Sequence, residues 1–119
     1  MTIAVDNPLV LLPLIVGGIF IICGLLLYYF PPKEINHLYG YRTKTSMQNQ
    51  EIWDFAQKYS GKIMAIVGIL YMLMAFPFSF LDLNSENFAV LIPIGTLLFF
   101  CVLLFIIVEK RLKQKFPKK

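Results

Sequence analysis

Charged side chains and histidine are absent from three long stretches of the sequence, residues 8–30, 63–81 and 88–108. About 20 apolar residues suffice for a helix to cross a hydrocarbon core of roughly 30 Å. The first stretch exceeds the apolar core of a secretory signal and no basic residue precedes it, so we interpret it as a retained helix. With 58% hydrophobic and only 15% charged residues, the composition excludes an ordinary soluble domain. The sequence predicts an all-α membrane protein with three transmembrane helices.

The lack of ionisable residues in these stretches also restricts function. Proton relays and ion-coupled transport depend on Asp, Glu, His, Lys or Arg within the membrane. The single histidine, His37, has no Cys, His or acidic partner at ligand spacing, and the sequence has no phosphate loop or CxxC motif. We therefore expect no catalytic residues, no metal and no cofactor, and a protein that acts by binding.

Cysteine is also scarce, with only Cys23 in the first predicted span and Cys101 in the third. The two cysteines fall at similar depth in the membrane, so the sequence allows a contact between them. Cysteine is also a small apolar residue suited to helix packing. We expect packing rather than a disulfide or a metal site.

Basic residues are missing from one side of the predicted topology. Five lie in the segment between the first two spans and six follow Val108, whereas the N-terminal segment and the second loop carry only acidic charges. The positive-inside rule predicts a multi-pass protein of the cell membrane with its N-terminus outside and its C-terminus in the cytoplasm. The net charge of +4 then indicates contact with anionic lipid heads rather than direct binding of nucleic acid.

Small residues recur at helical spacing in the first two spans. They are Gly17 and Gly24 in the first span, and Gly61, Ala65, Gly68 and Ala75 in or just before the second. Small residues let helix backbones approach closely, so both faces are predicted to be packing seams.

Each span also carries a proline toward its predicted outer end, at Pro13, Pro77 and Pro93. The three prolines indicate either an outer half that deforms more readily, because proline removes a helical hydrogen bond, or only the ordinary frequency of proline in membrane helices.

The polar segment 31–62 separates the first two spans and is predicted to lie at the cytoplasmic surface. Its second half predicts a short amphipathic helix, and Thr45 with Gln48 resembles a capping box. The apolar stripe of that helix comprises Ile52, Phe55, Ala56, Tyr59 and Ile63. We expect the helix either to lie in the membrane interface or to pack on the ends of other helices, and to turn at Ser60-Gly61 into the second span. The basic tail, residues 109–119, is expected to anchor the chain at the membrane.

The first half of this segment concentrates polar side chains around Gly40. Glycine permits a backbone conformation closed to other residues, so Arg42 can be directed at a helix end, a lipid phosphate or a partner. The alternative is that Arg42 and the asparagines tie the loop to the amphipathic helix by hydrogen bonds.

Eight residues of segment 31–62 form a recognisable pattern: Asn36, Gly40, Arg42, Thr43, Ser46, Asn49, Trp53 and Gly61. The block Gly-Tyr-Arg-Thr and a tryptophan eight residues before a glycine resemble the signature of the SdpI family. These are bacterial membrane proteins named for immunity to a secreted killing peptide. The sequence departs from the pattern at one place, because many members carry Thr-His-Arg where this chain has Ala56-Gln57-Lys58.

The resemblance implies a membrane protein that protects against a secreted peptide toxin. In the best-understood family setting it also implies a receptor that draws a cytoplasmic transcriptional repressor to the membrane. The eight motif residues are then the candidates for binding a partner or a lipid, and we expect a hydrophobic peptide or lipid to engage the outer half of the bundle.

Two alternatives stay open. One is a small-molecule transporter or channel subunit that forms a homo-oligomer along the small-residue seams. The other is a lipid-active membrane enzyme that uses Arg42 and the asparagines at the cytoplasmic interface.

Overall fold

Long apolar helices make up most of the chain in the computed structural model, which describes residues 7–81 and 86–117. The helices are α1 (Pro8–Tyr29), α2 (Gln50–Leu73), α3 (Ala75–Phe78) and α4 (Glu86–Lys115). Among these residues three helical segments are long and apolar enough to cross a membrane, and no strand occurs. The predicted all-α class with three membrane-spanning helices is therefore confirmed.

Local sequence signals determine both ends of α1. The Asn7 side chain accepts a hydrogen bond from the backbone N–H of Leu9 at 3.1 Å, and Pro8 occupies the first helical position, where no N–H is needed. The helix ends at Tyr29, just before Pro31 and Pro32.

α2 is one continuous helix of 24 residues that joins the predicted amphipathic segment to the second span. The expectation of a turn at Ser60-Gly61 is wrong, because both residues lie within α2. The Ser60 hydroxyl donates to the Gln57 carbonyl at 3.2 Å within the helix, and Gly61 packs directly on α1. At about 1.5 Å per residue, the helix extends roughly 20 Å beyond the apolar stretch that begins at Ile63.

The start of α2 also differs from the expectation. Asn49 is the N-cap, because its side chain accepts a hydrogen bond from the N–H of Ile52 at 2.9 Å. Thr45 instead lies in a turn before the helix, so the predicted capping box is wrong. At the other end, Pro77 has no N–H to donate to the Leu73 carbonyl, and α2 stops at Leu73 before the short α3.

The small-residue faces of α1 and α2 pack against each other within one chain. A Cβ atom added to Gly24 would lie 2.6 Å from the Gly61 carbonyl oxygen, and one added to Gly68 would lie 2.7 Å from the Gly17 carbonyl oxygen. At these distances no side chain larger than the hydrogen atom of glycine fits between the two backbones. The predicted seams are confirmed, and they hold α1 and α2 together as an antiparallel pair.

α4 contacts this pair at two levels and leaves most of its apolar surface exposed. Within the span, the Tyr71 hydroxyl donates to the Pro93 carbonyl at 2.7 Å. At the end of the span and beyond it, the buried residues Ile52 and Ala56 of α2 pack with Val108 and Leu112 of α4. The amphipathic stripe therefore packs on the end of another helix, which was one of the two expected arrangements. We call this end of the bundle, which also carries residues 31–49, the motif end.

Replacing Gly24 with leucine tests the seam. The new side chain has no space against Gly61 and Ala65, so we expect Gly24→Leu to lower the free energy of unfolding by about 1 to 3 kcal/mol, as overpacking does. Unfolding in detergent, followed by circular dichroism, measures the change.

Gly95→Leu is the matched control, because no atom lies within 4 Å of a Cβ added at Gly95. We expect a change of less than about 0.5 kcal/mol for this variant. Equal destabilisation by the two substitutions would contradict the seam.

Candidate functional site

The motif loop, residues 31–49, is held against α2 by the Gln57 side chain. The Tyr41 N–H donates to Gln57 Oε1 at 2.6 Å, and Gln57 Nε2 donates to the Tyr41 carbonyl at 2.9 Å. Gln57 is completely buried. We call this pair of hydrogen bonds the Gln57 clamp, and it satisfies both backbone groups of Tyr41 where water has little access.

Gly40 makes the clamp geometrically possible. It has a φ of +107°, a conformation that other residues rarely adopt. A Cβ atom at this position would also collide with Gln57 Oε1 and would lie 2.9 Å from the Pro32 ring. The expectation that Gly40 permits an unusual backbone is confirmed, but the consequence is contact with Gln57.

Thr43 and Ser46 form a closed turn beside the clamp. The Thr43 N–H donates to Ser46 Oγ at 2.8 Å, and the Ser46 N–H donates to Thr43 Oγ1 at 3.1 Å. The Ser46 hydroxyl, which is fully buried, also lies 3.0 Å from the Tyr41 carbonyl, to which it donates. These two motif residues therefore fix the path of the loop between Tyr41 and α2.

The remaining polar motif side chains also make structural hydrogen bonds. The Asn36 side-chain oxygen accepts from the N–H groups of Leu38 and Tyr39 at 2.9 and 2.8 Å, which stabilises a local turn. The indole N–H of Trp53, which is completely buried, donates to the Pro32 carbonyl at 2.9 Å and holds the end of α1 beside α2. Asn49 caps α2, as described above.

Arg42 and Gly61 lie apart from this network. The Arg42 side chain is exposed, whereas Gly61 is buried in the α1–α2 seam. Among the motif residues Arg42 is thus the charged group that the fold leaves available to a ligand.

The sequence pattern marks Gln57 only as a departure from the family motif. Its role could have been found from spacing, because Trp53, Gln57, Ser60 and Gly61 recur as i, i+4, i+7 and i+8. All four are buried and form a second face of α2, next to the apolar stripe.

Tyr41 and Glu109 provide unusual polar atoms at the motif end. Tyr41 Oη and Glu109 Oε2 are both buried and make no hydrogen bond among the described residues. Burial raises the pKa of the Tyr41 phenol, and the negative charge of Glu109 raises this pKa further.

A cavity of about 310 Å³ lies beneath the loop, between the three long helices. α1 contributes Cys23 and Leu27, α2 contributes Ser60 and Met64, α4 contributes Leu104, and residues 39–41 complete the lining. The lining is mainly apolar, so an apolar group suits the cavity better than water does.

A second crevice, of about 270 Å³, lies at the opposite end of the bundle where α2 gives way to α3. Every lining residue is apolar: Val10, Leu14, Met72, Leu73, Ala75 and Phe76. We call it the distal crevice. It can accept apolar side chains or an acyl chain and offers no polar side chain to orient a reaction.

The described residues contain no cluster of three or more His, Cys, Asp or Glu side chains that could hold a metal ion. Cys23 is exposed and Cys101 is partly buried, and both are free thiols.

Helices with long charge-free stretches, joined by a clamped polar loop, define a multi-pass membrane protein with a structured surface at one end. The chain belongs to the SdpI family, because the family model described as the SdpI/YfhL protein family matches residues 33–108. A Bacillus subtilis (strain 168) protein, named "Uncharacterized protein YfhL", is 41% identical over 100 residues, which cover 84% of each chain. No solved structure matches the chain.

Replacing Gln57 tests the clamp. Gln57→Leu leaves the N–H of Tyr41 without a partner and its carbonyl with the Ser46 hydroxyl alone, and an unsatisfied buried group costs about 1 to 3 kcal/mol. We expect faster hydrogen exchange in a peptide covering residues 39–43, measured by mass spectrometry on the full chain. Gln114→Leu, at an exposed position on α4, should leave this exchange unchanged. Unchanged exchange in Gln57→Leu would contradict the clamp.

The buried Tyr41 phenol predicts a loss of stability at alkaline pH. The pKa of Tyr41 is raised in the folded state, which means that folding favours the neutral phenol. The stability gained in this way is complete below the pKa of the unfolded chain, about 10, and declines as the pH rises above it. We expect Tyr41→Phe to reduce the alkaline decline of the unfolding temperature, and Tyr29→Phe, at an exposed position, to leave it unchanged. The same decline in Tyr41→Phe and in the unsubstituted protein would refute this.

Proposed function

We propose that this protein is a bacterial membrane protection protein that binds a hydrophobic peptide toxin, or a lipid, and acts without catalysis. The family is named for immunity to a secreted killing peptide, and this chain belongs to it. In the proposed orientation the N-terminus and the distal crevice face the outside, and the motif end and the basic tail face the cytoplasm.

The observation that carries this proposal is the distal crevice. Its entirely apolar lining favours hydrophobic ligands, and its location suits a peptide that enters the membrane from outside. A volume of about 270 Å³ is slightly below the usual size of a complete small-molecule site. We therefore assign to it one or two apolar side chains of a longer peptide, with the rest lying along the exposed helix surfaces.

The break between α2 and α3 supports adaptation of this crevice to a ligand. Leu73 and Ala75 lie on either side of the break, and both line the crevice. Because Pro77 cannot complete the helical hydrogen bond to Leu73, the lining can change shape with little further loss of hydrogen bonding.

The proposal includes a cytoplasmic partner, a transcriptional repressor, at the motif end. Support comes from the arrangement of α2, which runs without interruption from the distal crevice to the Gln57 clamp. A displacement of α2 by a ligand would move the loop that presents the exposed Arg42.

Neither alternative gains support from the geometry. The small-residue seams proposed for assembly of a channel are occupied by each other inside one chain. The side-chain oxygens of Asn36 and Asn49, proposed to serve a lipid-active enzyme, already accept structural hydrogen bonds from backbone N–H groups.

A toxin challenge with a narrowed crevice tests the proposal. The chain would be expressed in a sensitive bacterial host and exposed to a panel of secreted hydrophobic killing peptides. We expect protection against at least one peptide, and a loss of about tenfold in the tolerated concentration for Leu73→Trp, since tenfold corresponds to about 1.4 kcal/mol of binding.

Leu98→Trp is the matched control. Leu73 and Leu98 are similarly exposed, at 63% and 60%, but only Leu73 lines the distal crevice. Membrane levels of the two variants would be compared by immunoblot. If the protein protects the host against none of the peptides, the immunity function is contradicted. If the two variants protect equally well, the role of the crevice is contradicted.

A further inference from the structure

A pocket lined by both polar and apolar groups lies at the motif end, separate from the cavity beneath the loop. It has a volume of about 340 Å³ and is lined by Lys44, Thr45, Gln48, Lys113 and Phe116. The first three belong to the turn that precedes α2, and the other two belong to the end of α4 and the residue after it.

Both walls of this pocket are fixed by contacts elsewhere. The turn is closed by the reciprocal hydrogen bonds of Thr43 and Ser46, and the Gln48 N–H donates to the Thr45 carbonyl at 3.4 Å. These bonds hold Lys44 and Gln48 on a defined backbone.

The α4 wall is held just as firmly. Leu112 is fully buried against α2, and the Phe116 N–H donates to the Leu112 carbonyl at 2.8 Å. The Phe116 ring meets the Phe55 ring edge-on with centroids 5.8 Å apart. The separation of the two walls is therefore set by the packing of α2 on α4, before any ligand binds.

The chemistry of the lining selects an anion. Lys44 and Lys113 provide ammonium groups, Thr45 a hydroxyl and Gln48 an amide, and none of the lining residues is acidic. A third ammonium group lies near this lining, because Lys115 Nζ is 5.9 Å from the centroid of the Phe116 ring. A phosphate group, with its negative charge and several acceptor oxygens, matches this set of donors.

We propose that this pocket binds a phosphate group. Lys113 lies five residues, or about 7.5 Å along α4, beyond Val108, so this wall of the pocket is close to the end of the third apolar stretch. The phosphate can therefore belong to an anionic phospholipid or to a free phosphate compound. This site is independent of toxin binding at the distal crevice.

The test uses the full chain in maltoside micelles, which contain no phosphate. Calorimetric titrations would use inorganic phosphate in one arm and short-chain phosphatidylglycerol in the other, with chloride at matched ionic strength as the blank. The pocket variant combines Lys44→Gln and Lys113→Gln. The control combines Lys33→Gln and Lys110→Gln, which removes the same charge from exposed lysines outside this pocket.

We expect saturable binding of at least one ligand, weakened about tenfold or more in the pocket variant and about twofold or less in the control. Binding of phosphatidylglycerol alone identifies a lipid head group as the source, and comparable binding of inorganic phosphate identifies a soluble one. Absence of saturable binding in both arms, or equal weakening in both variants, would overturn the proposal. Thermal unfolding of each variant checks that the fold is retained.

Discussion

The close approach of α1 and α2 is the constraint on which the rest of the structure depends. Without side chains at Gly17, Gly24, Gly61 and Gly68, the two backbones meet at distances that exclude even a methyl group. In water-soluble proteins the hydrophobic effect brings helices together, but lipid removes most of that driving force. Close van der Waals packing between the backbones therefore has to stabilise the contact between α1 and α2. The register of this packing is set by the seven-residue spacing of the two glycines within each helix.

This register determines the site at the motif end. With Gly24 against Gly61, the chain leaves α1 beside the first turns of α2, where Trp53 binds the Pro32 carbonyl. The loop then returns across α2, and Gln57 fixes it at Tyr41. Most polar motif residues thus stabilise the conformation of the loop. Arg42 and the nearby lysines are the groups that remain available to bind a ligand.

Sequence patterns predicted the parts of the fold that depend on local chemistry. The charge-free stretches located the spans, Pro31 and Pro32 marked the end of α1, and glycine spacing identified the seam. The continuity of α2 could not be predicted, because Ser60-Gly61 is a turn signal whose effect is cancelled by packing against Gly24. The Gln57 clamp was also missed, since it joins residues sixteen apart through a backbone conformation that only Gly40 supplies.

The account depends on two contacts within one chain, Gly24 with Gly61 and Gly17 with Gly68. If both contacts are intramolecular, they determine the loop geometry, and no seam between two copies of the chain is needed. Nuclear Overhauser effects between glycine Hα protons, recorded on the full chain in micelles with selective glycine labelling, measure this contact directly. The account predicts cross-peaks for Gly24 with Gly61 and for Gly17 with Gly68, retained when labelled protein is diluted with unlabelled protein. Absence of both cross-peaks, or their appearance only between differently labelled copies, would contradict it.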